Sequence, residues 1–120
     1  MVPVIPPAVS AAGGGVSGAP LRQRAVRLLR RVVEAADQRV PVISSGGVMN
    51  PEDVWQRLLL GASMVQIYSG LIYYGPAIVK DTEKYLRNKM REYGCLNLSD
   101  LQKNQSRILK SETEKAVQAG

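Results

Sequence analysis

The sequence predicts an α/β fold, the C-terminal portion of a (β/α)8 TIM barrel made of about two βα units behind a loop and a helix. Three observations carry that reading. Val40–Ser44 and Met64–Tyr68 are short, β-branched apolar runs of the kind buried on both faces of a parallel sheet. Each run ends in small residues, Ser45-Gly46-Gly47 and Tyr68-Ser69-Gly70, and leads on to a helix with a proline at its first position. One helix separates the two runs, which makes them parallel with a right-handed crossover and brings both small-residue turns to the same end of the sheet. The chain has 120 residues, about half of the ~250 that a closed barrel usually takes, so it reads as a fragment of one.

The elements follow in order. Residues 1–12 are expected to be irregular, because Pro3, Pro6 and Pro7 oppose a central strand. From Pro20 to Ala36 apolar residues return at helical spacing, with Leu21, Ala25, Leu28, Leu29, Val32 and Val33 expected on the buried face. Asn50-Pro51-Glu52-Asp53 supplies a cap, a first-turn proline and first-turn carboxylates, so a helix is predicted over Pro51–Leu60, stopping at Gly61. A long helix is predicted over Pro76–Glu92, ended by Gly94. Asn97 or Ser99 is placed to cap one more short helix, and beyond Lys103 a polar, frayed tail is expected. The chain thus divides into an irregular 1–12, a barrel part over 13–94, and a short helix with a polar tail over 95–120.

The composition is globular, with 45% hydrophobic and 22% charged residues, and with no Phe and a single Trp the packing must be largely aliphatic. The absence of histidine excludes Ser-His and Cys-His catalysis, and no metal site is expected. A single cysteine, Cys95, excludes an internal disulfide. No apolar run approaches the ~20 residues of a membrane span, and Met1–Ala12 lacks the charged start of a signal peptide. The chain itself is therefore expected to be soluble or peripheral. Much of the net charge of +6 comes from Arg22, Arg24, Arg27, Arg30 and Arg31. On a helix these occupy the flank opposite the apolar residues, a solvated face, and no nucleic-acid partner is expected because no aromatics interleave them.

Gly13–Gly18 fits G-x-G-x-x-G with Glu34 or Asp37 downstream, but a dinucleotide fingerprint needs a strand directly before it, and Pro6–Ser10 makes a poor one. The turns at Gly46-Gly47 and Ser69-Gly70 are more telling. A strand that delivers such a turn to a helix start aims free N–H groups and the positive helix end at one point, chemistry suited to a phosphate. Tyr73, Tyr74, Lys80 and Cys95 read as structural or surface residues.

The run GGGVSGAPLRQRAVRLLRRV (13–32), then VPVISSGGVMNPEDVWQRLLLGASMVQIYSGLIYYGP (40–76), resembles the C-terminal part of the class 2 dihydroorotate dehydrogenases, the membrane-associated, quinone-reducing type. The resemblance covers about residues 13–94. It rests on GG-x-SG-x-PL, PVI-x-x-GG and GAS-x-VQ-x-Y-[ST]-G-x-x-x-x-GP in the family's order and spacing, and the Tyr68-Ser69 ending looks like class 2, where class 1 usually has a Gly-Thr-Ala type ending.

That resemblance implies an FMN enzyme on a (β/α)8 barrel, oxidising dihydroorotate to orotate in pyrimidine synthesis and passing the electrons to ubiquinone. It implies Ser17 and Gly18 beside the flavin, and Gly46, Gly47, Tyr68 and Ser69 around its phosphate and ribityl end. No catalytic residue falls in this sequence, since the family's serine base, substrate-binding asparagines, flavin-binding lysine and a threonine belong to earlier strands and loops. Its quinone-docking helices belong to an N-terminal region, through which the full-length relative would meet a mitochondrial or bacterial inner membrane. The alternatives are a non-catalytic phosphate- or flavin-binding module, or a basic nucleic-acid-binding protein. For the family reading the isolated chain is expected to be inactive, with Val42, Ile43, Val65 and Ile67 lacking the barrel layers they should meet.

Overall fold

The computed structural model describes residues 18–119. A 3-10 turn, Ala19–Leu21, leads into α1 (Arg22–Ala36), β1 (Ile43–Ser45), α2 (Pro51–Leu59), β2 (Met64–Gln66), α3 (Ser69–Tyr74), α4 (Ala77–Glu92), α5 (Leu98–Lys103) and α6 (Gln105–Ala119). The two strands pair in parallel, with Ile43 opposite Met64, Ser44 opposite Val65 and Ser45 opposite Gln66, as the β-α-β order requires. At the entry to the ladder the Ser63 N–H donates to the Val42 carbonyl at 2.8 Å. The strands are shorter than the apolar runs. In this register Ile67 and Tyr68 come opposite Gly46 and Gly47, where the chain turns away with φ of 92° and 71°.

Alternation along the strands divides the two faces of the sheet. Val42 and Val65 belong to the layer under α1, where Leu29, Leu60 and Ala62 are buried with Val26 and Val33 packed around them. The other face carries Ile43 and Met64, 61% and 63% exposed. This corrects the expectation that Val42 and Val65 would lie uncovered, because a period of two hands them to the helix layer. The buried stripe of α1 is also rotated from the expected one. Leu28 and Val32 are exposed, while Arg24, Arg27, Arg30 and Arg31 are solvated as expected. Arg22 departs from them, being half-buried and ion-paired with Asp53 at 3.0 Å.

The Asn50 side chain caps α2 by accepting from the Asp53 N–H at 2.9 Å. Asp53 Oδ2 in return accepts from the Met49 N–H at 2.9 Å, a reciprocal arrangement that satisfies two donors at the helix start. The helix ends with the Ala62 N–H on the Arg57 carbonyl at 3.0 Å and the Gly61 N–H on the Leu58 carbonyl at 3.1 Å, and α4 ends in the same pattern at Gly94 and Cys95.

Two helices exceed the expected set. α3 occupies Ser69–Tyr74, which reads in sequence only as a turn, and Gly75-Pro76 then separates it from α4. The chain beyond Lys103 is α6 rather than a frayed tail. Ile108, with 0% exposure, joins Trp55, Leu59, Cys95 and Leu101 in the larger core cluster. Glu112 holds the same helix in place by accepting from the Trp55 indole N–H at 3.3 Å and from Lys89 at 2.8 Å. Asn97, not Ser99, caps α5 by accepting from the Asp100 N–H at 2.9 Å. Among the described residues no helix is long and apolar enough to cross a membrane.

Candidate functional site

β1 and β2 end side by side, so the turns that follow them face each other. Gly18, Gly46, Gly47, Tyr68 and Ser69, together with Ser45 and Gln66, line a cleft of about 340 Å³ there. Every predicted site residue within the described part of the chain is therefore brought to one place, and Ser17 lies outside the described residues. A larger cavity, about 570 Å³, lies at the opposite strand ends among Pro41, Gly61, Ser63 and Gln102, and contains neither glycine turn.

The two glycines of the first turn differ. A Cβ on Gly47 would sit 2.5 Å from the Cα and N of Arg22, so the turn is packed hard under the start of α1. A Cβ on Gly46 would meet only Leu21 Cδ1 at 3.8 Å, leaving that position open. Gly18 closes the cleft from the other side, with Ser69 Cβ 3.4 Å from where its own Cβ would be. Past the strand ladder, the N–H groups of Gly47 and Val48 find no acceptor among the described residues. Gly47 and Val48 are buried, a situation in which backbone donors ordinarily have partners. The first turn is thus a concave run of donors, of the kind that takes an anion.

Among the described residues no charged side chain lines the cleft; the charge stands behind it. Arg57 projects from α2 with 0% exposure. Its Nη1 donates to Ser44 Oγ and its Nη2 to the Gly46 carbonyl, both at 2.9 Å, while Nε has no hydrogen-bond partner. Burial pulls its pKa below the ordinary arginine value, Asp53 pulls it back up, and Arg22 lowers it again. At neutral pH the guanidinium keeps its charge. One carboxylate between two guanidiniums leaves one positive charge in excess beside the glycine turn. Arg57 and Asp53 are the site residues that sequence reasoning missed. An acid and a base four apart on a helix ordinarily form a surface pair, and the available signal was that Arg57 falls next to Val54, Leu58 and Leu60 within an otherwise apolar helix end.

Among the described residues the cleft is lined by donors, with no carboxylate or amine side chain. Tyr68, exposed, and the buried Ser69 are the hydroxyl side chains after β2. Such an arrangement can offer donors to an anion and orient what is attached to it.

The sequence model of the family described as Dihydroorotate dehydrogenase matches residues 4–90. Curated proteins named dihydroorotate dehydrogenase (quinone) are similar to this chain. That of Synechococcus elongatus is 40% identical over 86 residues, 72% of this chain and 23% of the relative. That of Prochlorococcus marinus is 42% identical over 87 residues, 72% and 22%, and that of Novosphingobium aromaticivorans 37% over 98 residues, 82% and 28%. Among solved structures, a ligand-free DHODH from Eimeria tenella superposes with a TM-score of 0.68 at 31% identity, over 73% of this chain and 24% of that one. The same organism's DHODH in complex with ferulenol superposes with a TM-score of 0.70 at 27% identity, over 83% and 28%. The chain spans about a quarter of the length of the curated relatives it matches.

Proposed function

The chain belongs to the dihydroorotate dehydrogenase family, and from that premise we propose that its two βα units are the C-terminal part of a (β/α)8 barrel that binds FMN, with the cleft between the turns taking the FMN phosphate. The observation that carries the reading is the pair of unpaired N–H donors at Gly47 and Val48, beside an excess positive charge at the C-terminal strand ends. A phosphate needs several donors, a positive field and room, and Gly46 leaves the room. Tyr68 and Ser69 would take the ribityl end, and Gly18, with Ser17, the flavin side. FMN, when bound, supplies the hydride acceptor; the residues of this chain hold and orient it.

The whole enzyme is proposed to oxidise dihydroorotate to orotate, in pyrimidine synthesis, with a quinone as acceptor. The names of relatives at 37% to 42% identity support this. The proton acceptor, the quinone contact and any membrane contact are assigned to parts of the enzyme outside these 120 residues, so the chain alone is proposed to be inactive. The open face bearing Ile43 and Met64 supports the barrel part of the reading, because a closed barrel fills that side with side-chain layers.

The test is flavin titration of the purified chain together with dihydroorotate-dependent dye reduction. FMN should bind in preference to riboflavin, which lacks the phosphate, and no turnover should occur. Equal binding of the two flavins would remove the phosphate assignment, and turnover by the chain alone would overturn its proposed inactivity.

A further inference from the structure

Among the described residues the buried Arg57 hydrogen-bonds a hydroxyl and a carbonyl and no carboxylate, and burying a charge without a bonded counter-charge is costly. Its hydrogen bonds go to the end of β1 and to one particular peptide group. Nη2 donates to the Gly46 carbonyl at 2.9 Å, and that carbonyl shares a plane with the Gly47 N–H. In a trans peptide the two point in opposite directions, and no peptide among the described residues is cis. Holding the carbonyl toward α2 therefore turns the Gly47 N–H away from α2, on the side where Gly47 lines the cleft. The second bond, Nη1 to Ser44 Oγ at 2.9 Å, fixes the plane of the fork. Arg22, paired with Asp53 at 3.0 Å, takes up the nearby carboxylate.

We infer that Arg57 is a positioning residue of the anion site: its buried fork pins the Gly46 carbonyl, presents the Gly47 N–H to a bound phosphate, and places an uncancelled positive charge directly behind the turn. This rests on the phosphate reading of the cleft given above. A lysine would keep the charge but not the fork, and a glutamine would keep a donor but not the charge. The two variants therefore separate geometry from field.

The test is an inorganic phosphate titration of the full 120-residue chain followed by amide NMR, with riboflavin as a ligand without phosphate. In the unsubstituted chain, phosphate should shift the Gly46, Gly47 and Val48 amides saturably. Arg57→Gln should weaken phosphate binding by about tenfold or more, and Arg57→Lys by roughly three- to tenfold, with riboflavin binding unchanged in both. The Gly47 amide should move in both variants even without phosphate. Saturable shifts in the unsubstituted chain with unchanged affinity in a folded Arg57→Lys or Arg57→Gln protein would overturn the role of Arg57 and leave the phosphate site standing. Absence of any phosphate shift in the unsubstituted chain would overturn the site and this inference together. Should Arg57→Gln fail to fold, Arg57→Lys decides alone, since an undiminished affinity there shows that the fork is not needed.

Discussion

Gly47 lies directly beneath Arg22, so close that a Cβ on the glycine would come 2.5 Å from the arginine's backbone N and Cα. The requirement for glycine at this position comes from the seating of α1 on the turn. Its neighbour Gly46 faces open space and carries only the strain of φ at 92°. Gly47→Ala is expected to cost about 3 kcal/mol or more, clash and strain together, and Gly46→Ala about 1–2 kcal/mol. Urea midpoints of the two variants check this, and equal costs would contradict the packing described.

Ile108 is buried against residues distant in sequence. Ile108→Ala should therefore destabilise by about 2–4 kcal/mol, as for a methyl-rich side chain removed from a closed core. The same change on a frayed tail would cost nothing measurable. Thermal or chemical unfolding followed by Trp55 fluorescence distinguishes the two.

The attachment of α6 should depend on pH at both ends of the scale. Burial pushes Glu112 up, but hydrogen bonds from Lys89, Tyr93 and Trp55 and the charge of Lys89 outweigh it, leaving its pKa below 4.5. Its contribution is then present above the unfolded value and lost as pH falls through the lower folded one. For Lys89, burial pulls down, but the Glu112 hydrogen bond and the charges of Tyr85, Glu112 and Glu92 leave it above 10.5. Its contribution is present below that value and lost as pH rises through the higher folded one. Glu112→Gln should abolish the acid-side loss, an effect of about 1 kcal/mol. An unchanged acid profile in that variant would remove Glu112 from the account.

Ile43 and Met64 stand on the uncovered sheet face. Replacing both with serine should change stability by no more than about 0.5 kcal/mol, as for exposed positions, and should reduce self-association on gel filtration. Unfolding of the double variant would mean that this face is packed.

Much of the fold was legible because punctuation and pattern agree. Asn50-Pro51 starts α2 where a cap and a first-turn proline place it, Gly61 and Gly94 follow helix ends, and the strand pair is parallel as the single crossover requires. The strand limits were not legible, since they depend on how far each partner continues; Ile67 and Tyr68 extend past a neighbour that has already turned at Gly46. α6 was missed because one well-placed Ile108 and its neighbour Leu109 anchor a mostly polar segment, and only tertiary contact reveals their weight. Gly46, Gly47, Tyr68 and Ser69 were readable from two strand-to-helix turns, and Gly18 only through the family resemblance. Arg57 was not, because its importance depends on which way α2 is rotated against β1.

The links from Arg57 to Ser44 and Gly46 span only 13 and 11 residues of chain. Loops of about ten residues close in roughly 10–100 ns, and contacts this local cost little to form early. The support of the turn thus has the character of a folding nucleus, whereas α6 docks on Trp55 and Leu59 from far along the chain. Refolding kinetics should then show Ser44→Ala slowing folding, with a φ-value toward 1, and Ile108→Ala chiefly speeding unfolding. The anion cradle would be in place before the helix that seals the core behind it.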